Sequence, residues 1–112
     1  MSAPGRRVVG VLAVQLSSVG LLGLALATPG EVVAEQGRRV FMEQGCHGCH
    51  TIGAVGTPIG PDLSRIGNRY SVSDLRRWLR DPESVRPGAH MPILELTEDQ
   101  IDDLAEFLGS LR

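Results

Sequence analysis

The sequence predicts an all-α domain, a small fold of about three main helices packed around a bound group and preceded by an N-terminal signal or anchor helix. Three observations carry this expectation. Apolar residues recur at helical spacing near the C-terminus, at Ile101, Leu104, Ala105, Leu108 and Leu111, opposite Asp102, Asp103 and Glu106. The apolar content is unevenly spread, with sixteen such residues in positions 1–27 and thirty-one left for positions 28–112. With aromatics at only 4%, that remainder makes a thin core, and small domains with thin cores usually need a staple, a metal or a cofactor. Third, two cysteines and two histidines crowd into five consecutive residues.

Residues 1–27 read as an export signal or membrane anchor, and residues 28–112 as the folded domain. Residues 8–27 carry no charge and follow Arg6 and Arg7, the pattern of a positive flank before an apolar stretch. Ala25-Leu26-Ala27 is a small-x-small tripeptide after which a signal peptidase could cut, and cleavage there is the favoured expectation. Yet twenty helical residues span about 30 Å, enough for a bilayer, so a retained anchor stays open. The arginine pair is read as an ordinary positive flank rather than a twin-arginine signal. Either way residues 28–112 belong outside the cytoplasmic membrane, as a periplasmic domain that is soluble or anchored to its outer face.

Within the domain, residues 31–44 suit a short helix, with Val32, Val33, Val40 and Phe41 apolar, leading into the cysteine cluster. Residues 51–70, with four glycines and two prolines, have loop composition. Ser71 and Asp74 form a capping box before Leu75, Trp78 and Leu79, and Pro82 limits that helix to about Asp81. A second loop is expected over residues 83–96. Thr97 and Gln100 form another capping box and open the last helix. No strand pattern is evident.

Charge excludes one class of partner. The domain holds nine arginines against thirteen acids, which argues against nucleic-acid binding and favours docking to a positively charged protein patch.

The chemistry sits in Cys46-His47-Gly48-Cys49-His50, the C-x-x-C-H attachment signature of a c-type haem. Thiols three residues apart can each add to a vinyl group on one edge of the macrocycle, and the adjacent histidine is held beneath the iron. A disulfide across so short a loop would stabilise little, a thioredoxin-like dithiol wants a βαβ context, and zinc would need two of His47, His50 and His90. One covalent haem c through Cys46 and Cys49 is therefore expected. Candidates for the sixth ligand are Met42, Met91, His47 and His90. Met42 precedes the cluster and His47 lies inside it, so both are poorly placed for the opposite face. Met91, in Arg86-Pro87-Gly88-Ala89-His90-Met91-Pro92, lies in a loop stiffened by prolines and is the preferred ligand, with His90 as the alternative.

Taken in order, these motifs resemble the class I cytochromes c over residues 37–112. Gly37 and Phe41 resemble the glycine and aromatic of that family's first helix, which crosses the last helix where Leu104, Phe107 and Leu108 stand. Gly60-Pro61-Asp62-Leu63 resembles the stretch whose proline carbonyl accepts a hydrogen bond from the proximal histidine, which implies that Pro61 orients His50. Arg69 falls where the family has an arginine near the haem propionates. Trp78 takes the place of an aromatic beside the methionine sulfur, with plain core packing as its other reading. The segment between Arg69 and Leu75 is shorter than in mitochondrial-type members, and the wording of residues 77–92 is closer to bacterial domains associated with terminal oxidases.

The resemblance implies an electron-transfer protein and no enzyme: a one-electron carrier of a respiratory chain with His50 and Met91 as the axial pair. Its implied partners are a bc1-type complex as donor and a terminal oxidase or nitrogen-oxide reductase as acceptor. Two other readings are a cytochrome subunit bound permanently in a membrane oxidoreductase complex, and a haem-based gas sensor or peroxidase should Met91 not be a ligand.

Overall fold

The computed structural model describes residues 25–112 without a break, together with Gly5, Gly10, residues 13–15, Gly20 and Gly23. Most of the expected signal or anchor segment, and the flank at Arg6 and Arg7, thus lie outside the described residues. No helix among the described residues is long and apolar enough to cross a membrane.

Four helices make the domain, α1 (Pro29–Glu43), α2 (Val72–Arg80), α3 (Pro82–Val85) and α4 (Glu98–Ser110), with short 3₁₀ turns at Cys46–Gly48 and Ile66–Asn68. Each of the three longer helices starts on a capping box. In α2 and α4 these are the expected pairs, Ser71 with Asp74 and Thr97 with Gln100. In α1 the box is Thr28 with Glu31, and Pro29 occupies the first turn, where its missing N–H costs nothing. The helix therefore begins two residues before the expected start at residue 31. The Thr-x-x-Glu signal sits directly after Ala25-Leu26-Ala27, at the first residues of the segment read as the folded domain.

Two other elements differ from expectation. The loop expected over residues 83–96 begins as helix, because Asp81 ends α2 and at once caps α3, accepting from the Ser84 N–H at 3.3 Å, with Pro82 at the first helical position. A minimal antiparallel hairpin, β1 (Thr51–Ile52) and β2 (Val55–Gly56), pairs Thr51 with Gly56 and Ile52 with Val55 where no strand was expected. Two-residue strands are too short to show alternation. The turn instead depends on Gly53, whose φ of 57° suits glycine.

The core is Val40 and Phe41 of α1, Leu75 and Leu79 of α2, and Ile101, Leu104, Ala105, Phe107 and Leu108 of α4. It forms where α1 and α2 both pack on α4. Gly37 permits the first of these crossings, since a Cβ there would run into the Asp103 carbonyl and the Phe107 Cβ. One turn on, the rings of Phe41 and Phe107 meet edge to face, 6.1 Å between centroids and 66° apart in plane, worth about 0.5–1.5 kcal/mol beyond their burial. Exposed ion pairs join α2 to α4, Arg76 to Asp102 at 2.6 Å and to Glu106 at 3.3 Å, and Arg80 to Glu98.

Candidate functional site: the haem attachment turn and the methionine loop

The end of α1 delivers the chain into the cysteine cluster. Gly45, at φ 74°, reverses the backbone, and the 3₁₀ turn that follows holds Cys46, His47 and Gly48. The carbonyl of Cys46 accepts from the N–H groups of both Cys49 and His50, at 3.1 and 2.9 Å, so the five residues form one closed turn. Cys46 packs against the core, whereas Cys49 is exposed. Burial pushes the Cys46 thiol above its ordinary pKa. His47 is half-buried, and its Nδ1 is buried with no hydrogen-bond partner among the described residues.

His50 is held from two sides. Its Nδ1 lies 2.7 Å from the carbonyl oxygen of Pro61. A carbonyl can only accept, so Nδ1 carries the proton and Nε2 keeps a free lone pair. The ring also lies flat enough against Gly60 that a Cβ there would come within 2.7 Å of Cε1 and 3.0 Å of Nδ1. The loop that places Gly60 and Pro61 is tied to the same turn, with the N–H of Gly60 donating to the Cys49 carbonyl at 2.6 Å.

Met91 comes from the other side of the sequence. It is half-buried, packs on the core, and accepts at its sulfur from the indole Nε1–H of Trp78 at 3.1 Å. Met42, by contrast, is exposed on α1, and His90 is exposed next to Met91. Arg69 is exposed, with its guanidinium carbon 5.9 Å from the centre of the Tyr70 ring. No carboxylate pairs with it among the described residues.

These residues fit a covalently held haem. The chain supplies two thiols in one turn, an imidazole whose free nitrogen is fixed by its partner, a thioether, and the Arg69 guanidinium. Ile52, Leu63, Ile66 and Leu96 are only partly buried on the core, so they keep apolar surface on which a large flat group could pack. Sequence reasoning missed the second contact on His50, the close approach of Gly60. The signal for it, a glycine next to Pro61, was visible but has no meaning until the loop folds back on the ring.

A helical domain with this attachment turn is a covalent mono-haem protein by its chemistry. Residues 34–112 match the family model described as cytochrome c, and the chain belongs to that family, as a class I, mono-haem c-type domain carrying haem c on Cys46 and Cys49. Members of the family carry electrons and are not enzymes. The chain is similar to cytochrome c oxidase subunit 2 of Alkalihalophilus pseudofirmus, 37% identical over 75% of this chain and 27% of that protein. It is also similar to cytochrome c oxidase subunit 2 of Bacillus sp., 35% identical over 71% of this chain and 26% of the relative. A third relative is a nitric oxide reductase subunit from Stutzerimonas stutzeri, 32% identical over 65% of this chain and 54% of that protein. The chain thus spans about a quarter of the oxidase subunits and about half of the reductase subunit.

Proposed function

We propose that this electron-transfer domain works as a haem-bearing subunit of a membrane oxidoreductase complex, passing single electrons to or from a neighbouring redox centre. The observation that carries the reading is the set of relatives, named as subunits of cytochrome c oxidase and of nitric oxide reductase. This favours the permanently bound subunit over the freely diffusing carrier that the export signal first suggested. A bc1-type complex as donor and a terminal oxidase or nitric oxide reductase as acceptor are the partners of this reading.

When bound, the haem supplies a one-electron ferric/ferrous couple. His50 would hold the iron through Nε2, and the Pro61 carbonyl, by accepting from Nδ1, fixes the ring and would make it a stronger donor. Met91 would be the second protein ligand through its sulfur and would favour a relatively high potential, while the Trp78 N–H positions that sulfur. The exposed Arg69 guanidinium would pair with a haem propionate. Two protein ligands of this kind would leave no coordination site for a substrate or gas, which favours electron transfer over the sensor or peroxidase reading.

Residues 1–27 lead the chain across the cytoplasmic membrane, and residues 28–112 work on its periplasmic side. Two measurements on the native protein test the assignment. Purification in mild detergent is expected to bring the haem polypeptide down together with oxidase or reductase subunits. Its intact mass tells a chain retaining residues 8–27 from one beginning at Thr28. A haem protein that leaves washed membranes alone, with Thr28 as its N-terminus, would return the diffusing carrier to first place.

A further inference from the structure

Pro61 has no N–H of its own, so the carbonyl it offers to His50 is only as fixed as the bonds on either side of it. On one side the Gly60 N–H donates to the Cys49 carbonyl at 2.6 Å, and on the other the Leu63 N–H donates to the Thr51 carbonyl at 2.9 Å. Both are backbone bonds, which many sequences could form.

One side chain adds to them. The half-buried Ser64 hydroxyl accepts from the Gly53 N–H at 2.7 Å and donates to Asp62 Oδ1 at 2.6 Å, and the same oxygen accepts from the Ser64 N–H at 2.9 Å. Gly53 lies in the turn between β1 and β2, and β1 follows directly on His50. The hydroxyl thus clasps the tip of the hairpin to the loop that carries the acceptor of His50, across eleven residues of sequence.

The polarity of the clasp is fixed. The Asp62 carboxyl is held below its ordinary pKa, first by the Ser64 hydroxyl and then by the Ser64 N–H, so at neutral pH it only accepts. It draws the hydroxyl proton and leaves a lone pair of Ser64 Oγ for the Gly53 N–H. A bond of this O–H···O⁻ kind is about twice as strong as a neutral one.

We infer that Ser64, oriented by Asp62, is a positioning residue for the haem ligand: its hydroxyl ties the hairpin to the loop 60–64 and so keeps the Pro61 carbonyl against His50 Nδ1. The inference rests on the electron-transfer reading above, with His50 as ligand, and deepens it. Control of the imidazole then extends beyond the residues that touch it.

The physical case is leverage. At 2.7 Å the bond from His50 Nδ1 to the Pro61 carbonyl is at the short end of the N–H···O range, so a small retreat of the loop weakens it. A firm bond makes the imidazole a stronger donor, which would favour ferric iron. Slackening the clasp would therefore raise the reduction potential while leaving the ligand set unchanged.

The test uses the haem-loaded protein. Ser64→Ala removes the hydroxyl and Ser64→Thr restores it. Ser71→Ala is the control, because the Ser71 hydroxyl also accepts from an N–H, that of Asp74 at 3.1 Å, and donates to an aspartate, Asp74 Oδ2 at 2.8 Å, yet serves the start of α2. Hydrogen exchange of the His50 Nδ1–H is followed by NMR in the reduced protein, and the midpoint potential by redox titration. The two alanine variants lose like sets of bonds, so general opening of the fold is raised alike and any excess exchange is local. Exchange is expected to be about ten-fold faster in Ser64→Ala than in Ser71→Ala, with a higher potential in Ser64→Ala alone. Ser64→Thr should return both readouts to the wild-type values. Equal exchange in the two alanine variants, or an unchanged potential in Ser64→Ala, overturns the inference. Should Ser64→Ala not assemble with haem, Asp62→Asn keeps the shape and removes the charge that directs the hydroxyl. It is expected to move both readouts the same way by less, and no movement there overturns the inference as well. The two failures are distinguishable: a wild-type protein without reversible one-electron reduction overturns the electron-transfer reading and the inference with it, whereas normal reduction with all variants alike overturns the inference alone.

Discussion

The indole N–H of Trp78 points at the sulfur of Met91, 3.1 Å away, so a helix and a loop separated by the α2–α3 corner meet in one hydrogen bond. Indole is a donor only, and thioether sulfur a weak acceptor, so the bond has one direction. It takes up one sulfur lone pair and would leave another for the iron that Met91 is proposed to hold.

Replacing Trp78 by Phe keeps a ring in place and removes the donor. As the proposed ligand, the sulfur would then give more electron density to the iron, which favours the ferric state, so the reduction potential is expected to fall. Thermal stability should drop by about 1 kcal/mol, the usual net worth of a hydrogen bond. A redox titration with an unchanged midpoint would show that the indole only packs.

Met91→Ala should open one face of the haem. Carbon monoxide is then expected to bind the reduced variant and to leave the reduced wild-type protein untouched, as followed by the visible spectrum. If His90 rather than Met91 were the ligand, the variant would behave like the wild type.

Cys46→Ala and Cys49→Ala should each weaken haem retention on a denaturing gel, and the double variant should retain none. The single changes need not be equal, because Cys46 is packed on the core and Cys49 is exposed.

Gly37→Ala tests the crossing of α1 and α4. The added methyl has nowhere to go but into the Asp103 carbonyl and Phe107, so the helices must separate. Overpacking of this kind typically costs about 1–3 kcal/mol, to be read from the midpoint of denaturant unfolding. The exposed Gly30, where a Cβ meets nothing, is the matched control and should tolerate alanine.

Acid should loosen the helix starts before it reaches the core. The Ser71 hydroxyl, and then Arg77, hold the Asp74 carboxyl below its ordinary pKa, while the Thr28 backbone N–H and hydroxyl do the same for Glu31. A carboxyl lowered in the folded state binds fewer protons there than in the unfolded chain, so its contribution is present above the ordinary carboxylate range, about pH 4, and is lost as pH falls through it. These groups lie at the surface, so each effect is small. Asp74→Asn should flatten part of the decline in melting temperature below about pH 5.

Much of this protein could be read locally. The attachment turn is five consecutive residues, and the boxes at Ser71 and Thr97 each involve residues three apart, so no knowledge of the fold is needed to see them. The hairpin at residues 51–56 was missed because its strands are two residues long, and α3 because a proline read as a stop is also a start. Pro61 and Gly37 stood out through resemblance alone; nothing in their own neighbourhoods states a partner.

The sequence by itself determined which groups are present and what they can bond to: two thiols spaced for one haem, an imidazole beside them, and helices with their ends written in. Only the tertiary structure decided that the Trp78 indole meets the Met91 sulfur and that Gly60 and Pro61 close on the same imidazole. The physical reason is range. Caps and turns are satisfied within a few residues, but a hydrogen bond from Trp78 to Met91 or from His50 to Pro61 exists only once α1, α2 and α4 have packed and brought their connecting loops to a common side.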